Sequence, residues 1–174
     1  MGRGGRPSPS RREARLGVKI RIIAVGHKMP NWVELGCTEY LKRMPREATV
    51  DLVELKPDKR AAGKGGDQVR ESEAQRILEA AGRDYLIALD ERGQEPTTLQ
   101  LADRMQQWMR DGRDIALAIG GADGLHDSVK QAADWQWSLS KLTLPHGMVR
   151  VMLAEQLYRA WSVLNNHPYH RGDL

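Results

Sequence analysis

The run DIALAIGGADGL, Asp114–Leu125, decides the fold class. Its first half is a short aliphatic stretch of strand length, and it breaks into glycines where a further element begins. A strand that feeds a glycine turn and then a helix is the unit of a parallel sheet, because parallel neighbours need a crossover of helix length. The same alternation continues outward in both directions. KIRIIAV (Lys19–Val25), TVDLVEL (Thr49–Leu55), DYLIALD (Asp84–Asp90), DIALAIG (Asp114–Gly120) and SLSKLTL (Ser138–Leu144) are predicted strands. Between them, Val33, Cys37, Tyr40, Leu41 and Met44 share a helical face after Pro30, a residue suited to a first turn. Val69, Ile77 and Ala80 mark a second helix, Leu101, Met105, Trp108 and Met109 a third, and Val129–Ala133 a short fourth. The strongest stripe is the last: Val149, Leu153, Leu157, Ala160, Trp161 and Leu164. The expected class is α/β, a mostly parallel sheet with helices on both faces.

The chain has 174 residues, which suits one domain, expected over 18–174. Cys37 is the only cysteine, so one chain can build neither a disulfide nor a multi-thiolate zinc site, and a reducing compartment fits. No apolar run approaches the length that spans a bilayer, and residues 1–17 lack the apolar centre of a secretory signal. A cytoplasmic location and no membrane partner are expected. The leader, rich in Arg, Gly, Pro and Ser, reads as a disordered extension; an upstream start or an added leader is preferred to an RNA-binding arm.

The net charge of +4 sits almost wholly in that leader, which holds five arginines and one glutamate. The rest of the chain carries equal numbers of basic and acidic side chains. Within it, Lys19–Lys64 sums to about +4, Gly65–Asp134 to about −6 and Trp135–Leu174 to about +2. A basic face must therefore come from the N-terminal third and the C-terminal tail. The segment Lys56–Gly66, basic and full of breakers, reads as a loop.

In an open α/β sheet, ligands bind beyond the carboxyl ends of the strands. Three loops qualify: LDERG (Leu89–Gly93), IGGADG (Ile119–Gly124) and LTLPHG (Leu142–Gly147). The glycines of IGGADG permit close backbone approach to a ligand or, equally, a tight strand-to-helix turn. The segment matches neither the dinucleotide fingerprint nor the phosphate loop. Pro145 stops the Leu142–Leu144 alternation and frees neighbouring backbone groups; His146 on these residues alone is a helix-entry residue. The five tryptophans, Trp32, Trp108, Trp135, Trp137 and Trp161, are expected to be mostly core.

The chain closes on NNHPYHRGDL, crowding His167, Tyr169, His170 and Arg171 behind the last helix. That end is either a late-packing cap or the edge of a site. Pro168 between the two histidines argues against a helix that would aim both at a metal, and no metal is expected. Glu155 and Arg159, four apart, form either a modest surface pair or an acid and a cation beside the tail.

Taken together, AVGHKMPNWVELGCTEYLKRMP, LDERG, IGGADGL and WSLSKLTLPHGMVRVMLAEQLYRAWSVLNNHPYHR resemble the SPOUT, or α/β-knot, methyltransferases. The resemblance covers Val18–Arg171, and LYRAWSVLNNHPYHR is its most specific part. The subfamily resembled methylates N3 of a pseudouridine in bacterial 23S ribosomal RNA.

The resemblance implies a C-terminal segment threaded as a trefoil knot, a path that ordinary connection rules disfavour. It implies S-adenosylmethionine bound by Leu89, Gly121, Ser140, Lys141, Leu142, Thr143, Leu144 and Pro145. It implies a homodimer in which the tail of one subunit completes a site near the cofactor. Tail and last-helix residues then take catalytic roles: His170 as the base for the N3 imino proton, Arg171 and Arg159 on phosphate or developing negative charge, and Tyr169 stacking or donating. Glu155 competes with His170 for the role of base. Ala122 and Asp123 replace Pro and Glu frequent in the family, and Gly147 stands where a bulkier residue is common, which suggests a looser pocket rim.

A formally neutral body is a poor ligand for naked RNA, whose affinity comes mainly from neutralised phosphates. It suits an enzyme that meets 23S rRNA within the assembled ribosome. Two alternatives share the fold: a SPOUT enzyme acting on transfer RNA, and a non-catalytic ribosome-binding factor.

Overall fold

The computed structural model describes residues 17–26, 28–56, 63, 65–121 and 124–171. Most of the leader, most of the Lys56–Gly66 loop, and Ala122 and Asp123 lie outside the described residues. The elements run β1 (Val18–Val25), α1 (Asn31–Leu41), β2 (Ala48–Leu55), α2 (Gly66–Ala81), β3 (Tyr85–Gln94), α3 (Thr98–Asp111), β4 (Ile115–Ile119), α4 (Asp127–Ala132), β5 (Trp135–Trp137) and α5 (His146–Leu164), closing on a 3-10 turn, Pro168–Arg171.

The five strands form one sheet in the order β2-β1-β4-β3-β5, and every pair is parallel. Alternating side chains point to opposite faces, so each strand must feed two cores. Ile20, Ile22, Ile87 and Leu117 pack on one face with Leu101 and Met105 of α3 and Leu153 and Leu157 of α5. Ile23, Val25, Ala88 and Ala118 pack on the other with Ala74 and Ile77 of α2 and Val129 of α4. Helix α3 starts in a capping box between Thr97 and Gln100 and ends at Gly112 in the left-handed conformation, so its periodic stripe has defined ends.

Four predicted strands match β1 to β4, but the fifth is displaced. The strand is Trp135–Trp137, and Ser138–Leu144 is a loop. The serines explain the difference. Ser138 Oγ donates to the Ser140 carbonyl at 3.0 Å, and Ser140 Oγ accepts from the Leu142 amide at 2.9 Å, so local side-chain bonds compete with the ladder. The Leu142–Leu144 alternation does not mark a buried face, since Leu142 is 73% exposed. In β5 the two tryptophans stack with ring centroids 5.4 Å apart. Trp108, Trp135 and Trp137 are core as expected, whereas Trp32 is 53% exposed on α1.

Strand β3 also runs past its predicted end at Asp90. Leu89 and Gln94 both pair with Trp137, so the residues between them bulge out of the ladder. Gly93 lets this bulge close against β5, for a Cβ there would lie 2.7 Å from the Gln136 carbonyl carbon. Gly93→Ala should therefore destabilise the protein by about 1–3 kcal/mol, read by denaturant unfolding.

Candidate functional site

The chain steps inward from β3 to β4 and then back across β3 to β5. The segments leaving β4 and β5 therefore meet at the carboxyl end of β3, where a cleft of about 600 Å³ opens. One wall is the β3 bulge, Leu89 to Arg92; the second is the turn after β4, with Gly120, Gly121 and Gly124; the third is the loop after β5. Gly120 is imposed by the turn itself, because a Cβ would lie 2.4 Å from the Gly124 carbonyl carbon. Gly121 and Gly124 form an isolated bridge that closes the turn.

The lining divides by chemistry. Leu89, Ile119, Trp137, Leu139, Leu144 and Val149 give an apolar wall, while Arg70, Asp90, Glu91, Arg92 and Lys130 give a charged rim. Asp90 and Lys130 pair at 3.5 Å. The size and the mixture of apolar wall with a few polar groups are those of a small-molecule site. His146, the first residue of α5, also faces the cleft. Burial first, and then the neighbouring Arg150 charge, push its imidazole below the usual histidine range, against a backbone hydrogen bond with Gly120.

Of the eight residues expected to hold a cofactor, Leu89, Gly121, Ser140, Leu142, Thr143 and Leu144 line this cleft. Lys141 and Pro145 belong to the same loop but are exposed and outside the lining; Pro145 instead precedes α5 as its N-cap residue. Among the described residues, no group of His, Cys, Asp and Glu is placed to hold a metal, and no helix is long and apolar enough to cross a membrane.

Of the five tail and last-helix residues, Glu155, Arg159 and Tyr169 form a second cluster. Glu155 Oε1 accepts from Arg159 Nε at 2.8 Å and from the Tyr169 hydroxyl at 3.0 Å, and its Oε2 accepts from Gln156 Nε2 at 2.8 Å. The Arg159 guanidinium also lies 4.9 Å from the Tyr169 ring centroid. Tyr169 in turn packs on Tyr158, with ring centroids 4.6 Å apart. Burial, followed by hydrogen bonds with Tyr40 and Glu155, holds the Tyr169 phenol far above the usual tyrosine range. Burial works against the Arg159 charge, but Glu155 outweighs it and raises the guanidinium further. Arg171 reaches back to Asn166, with Nη2 2.8 Å from the side-chain oxygen. Nδ1 of His170 is buried and has no hydrogen-bond partner among the described residues.

None of these five residues lines the cleft. Helix α5 carries the cleft at its N-terminal end, through His146 and Val149, and the Glu155–Arg159 side of the tail cluster from its middle onward. At 1.5 Å rise per residue, Val149 and Arg159 are about 15 Å apart along its axis.

With this geometry in hand, a family model described as "Predicted SPOUT methyltransferase" matches residues 18–170. The chain belongs to the SPOUT methyltransferases. A relative named ribosomal RNA large subunit methyltransferase H from Methylobacillus flagellatus is 73% identical over 88% of this chain and 99% of its own length. One of the same name from Dechloromonas aromatica is 56% identical, with the same coverage. A crystal structure of a probable methyltransferase from Bordetella pertussis superposes with a TM-score of 0.56 at 16% identity, covering 84% of this chain and 96% of its own. A transfer RNA methyltransferase structure from Aquifex aeolicus gives 0.52 at 12% identity over 82% of this chain and 69% of its own; both likenesses concern the fold alone.

In this SPOUT methyltransferase the cleft also takes in Trp137 and Lys130, outside the three loops expected from sequence, and Asp90 and His146, inside two of them but given no role there. His146 read as a helix start, which it also is, and Trp137 as core, which at 2% exposure it also is. Gly147 does not loosen the rim of the cleft. A Cβ there would meet Val33 Cγ2 at 2.8 Å, so its bare backbone lets α5 close on α1.

The Tyr169 contact makes a pH prediction. Because the folded phenol ionises well above its ordinary value of about 10, its contribution to stability is complete below that pH and is lost as pH rises above it. Tyr169→Phe should cost about 0.5–1.5 kcal/mol near neutrality. Its stability should fall less steeply than wild type above pH ~10 in denaturant unfolding followed across pH.

Proposed function

We propose that this chain is an S-adenosylmethionine-dependent methyltransferase that modifies N3 of a pseudouridine in 23S rRNA of the assembled ribosome. The observation that carries the reading is a cleft and a Glu155–Arg159–Tyr169 cluster tied to the same helix α5, in a chain 73% identical to a ribosomal RNA large subunit methyltransferase.

The cleft fits the cofactor by its donor set. Leu89, Leu142 and Leu144 would face the adenine, the Gly121 turn would admit it closely, and Ser140, Thr143 and the charged rim would meet its polar groups. When bound, S-adenosylmethionine supplies an electrophilic methyl on sulfur. The protein must then orient the pseudouridine ring and remove the N3 proton, which makes positioning the larger share of the work.

We assign His170 as the base. Glu155 competes poorly, since both its oxygens already accept hydrogen bonds from Arg159, Tyr169 and Gln156. Tyr169 is held neutral and so acts as a donor or a stacking surface. Glu155 fixes Arg159 and Tyr169 in place, and Arg159 and Arg171 meet phosphate or the charge that develops on the ring.

The separation along α5 supports a homodimer. None of the described tail residues lines its own cleft, so the tail of a second copy would present the base there. Exposed Trp32 and Leu35 on α1 and Met148 on α5 offer an apolar surface for that copy. The trefoil threading of the family and a cytoplasmic location belong to the same reading.

Labelled S-adenosylmethionine offered with ribosomes, free ribosomal RNA and transfer RNA tests it: N3-methylpseudouridine should form on ribosomes. Product on transfer RNA alone would favour that alternative, and absence of both transfer and cofactor binding would favour a non-catalytic factor. His170→Ala should lower turnover about 10²-fold or more while cofactor binding persists in calorimetry. Mixing His170→Ala with a cleft-blocking Gly121→Arg chain should restore activity if the tail acts across the dimer, and leave none if it acts within one subunit.

A further inference from the structure

Arg150 stands apart from the machinery described so far. It lies one helical turn after His146 on α5 and is 1% exposed, the largest of the fully buried side chains. A guanidinium does not give up its charge, so its burial has to be offset by partners. Its Nε donates to His146 Nε2 at 2.9 Å, and its Nη1 donates to Glu54 Oε1 at 3.2 Å at the end of β2. Its Nη2 is buried without a partner among the described residues and sits beneath Gly26, 3.4 Å from where a Cβ would be. Arg150 itself does not line the cleft; His146 does.

The donor at Nε fixes the chemistry of the imidazole. Since Arg150 can only donate, His146 Nε2 must offer a lone pair, and the remaining ring proton must sit on Nδ1. His146 and Gly120, at the exit of β4, line the same cleft, and the Gly120 backbone favours the charged imidazole against its burial. His146 thus sits between two walls of the cleft: it begins α5, which follows the Ser138–Leu144 loop directly, and it shares the lining with the Gly120–Gly121 turn.

We propose that Arg150 is a positioning residue for the cofactor cleft, holding His146 as a hydrogen-bonded strut that sets the spacing between the start of α5 and the Gly120–Gly121 turn. This rests on the cofactor reading above. The strut adds a function for β1 and β2, whose ends supply Gly26 and Glu54 around the guanidinium although neither residue lines the cleft.

The test combines a ring measurement with cofactor affinity. In the ligand-free wild-type protein, two-bond nitrogen–proton correlation spectra should show His146 with its proton on Nδ1 and a bare Nε2, the ring signal being assigned by its absence in His146→Gln. A proton on Nε2 overturns the strut. His146→Leu fills the space without the bonds and should weaken S-adenosylmethionine binding about tenfold in calorimetry, as expected for unmaking a buried hydrogen bond. The increase in KM for the cofactor should exceed the decrease in kcat. His146→Gln, which can both accept and donate, should recover most of that affinity, whereas Arg150→Lys, which keeps the charge and loses the fork, should abolish the bare-Nε2 signature. Equal affinity in wild type and His146→Leu overturns the proposal. If His146→Leu does not fold, a folded His146→Gln that binds no more tightly than Arg150→Lys overturns it. A wild type that shows the ring signature and binds no S-adenosylmethionine refutes the cofactor reading instead.

Discussion

Helix α5 is the constraint on which the remaining structure depends. Its apolar stripe, Leu153, Leu157 and Ala160, is buried against the sheet and α3, and Gly147 and Gly36 let it lie close to α1. Because a helix is rigid over this length, packing its middle fixes both ends at once. Its N-terminal end delivers His146 and Val149 to the cleft, and its middle delivers Glu155 and Arg159 to the tail. A change in how α5 seats on the core would move both sites in a concerted way.

The two sites use opposite physical strategies. The cleft is built from backbone: a bulge in β3, a glycine turn after β4 and a serine-braced loop after β5. Such walls can present main-chain donors and acceptors to a neutral heterocycle. The tail is built from side chains, with Glu155 at the centre of three donors and His170 Nδ1 buried without a partner among the described residues. A carboxylate so fully bonded is an anchor that holds Arg159 and Tyr169 in one arrangement.

Much of this was legible in sequence because it rests on local periodicity. The β1 to β4 runs and the helical stripes fall on the observed elements, except that the first stripe reaches Met44 beyond α1 and β3 continues to Gln94. The fifth strand was not legible. Trp135–Trp137 is too short to show alternation, and the Ser138–Leu144 run imitates a strand whose ladder is replaced by serine bonds. The cleft loops were found from their glycines and proline, but Trp137 lay outside them, and His146 and Asp90 inside them carried no assigned role. Each has a credible local role, and only the three-dimensional convergence of β3, β4 and β5 turns them toward one space.

By itself the sequence determined the α/β class, the element order and the family, since these follow from residue pattern and from motifs contiguous in the chain. Tertiary structure decided the strand order β2-β1-β4-β3-β5, the burial of Arg150 against His146 and Glu54, and the separation of tail from cleft. The reason is sequence distance. Arg150 and Glu54 are 96 positions apart, and no local propensity records which strand ends will meet around one guanidinium.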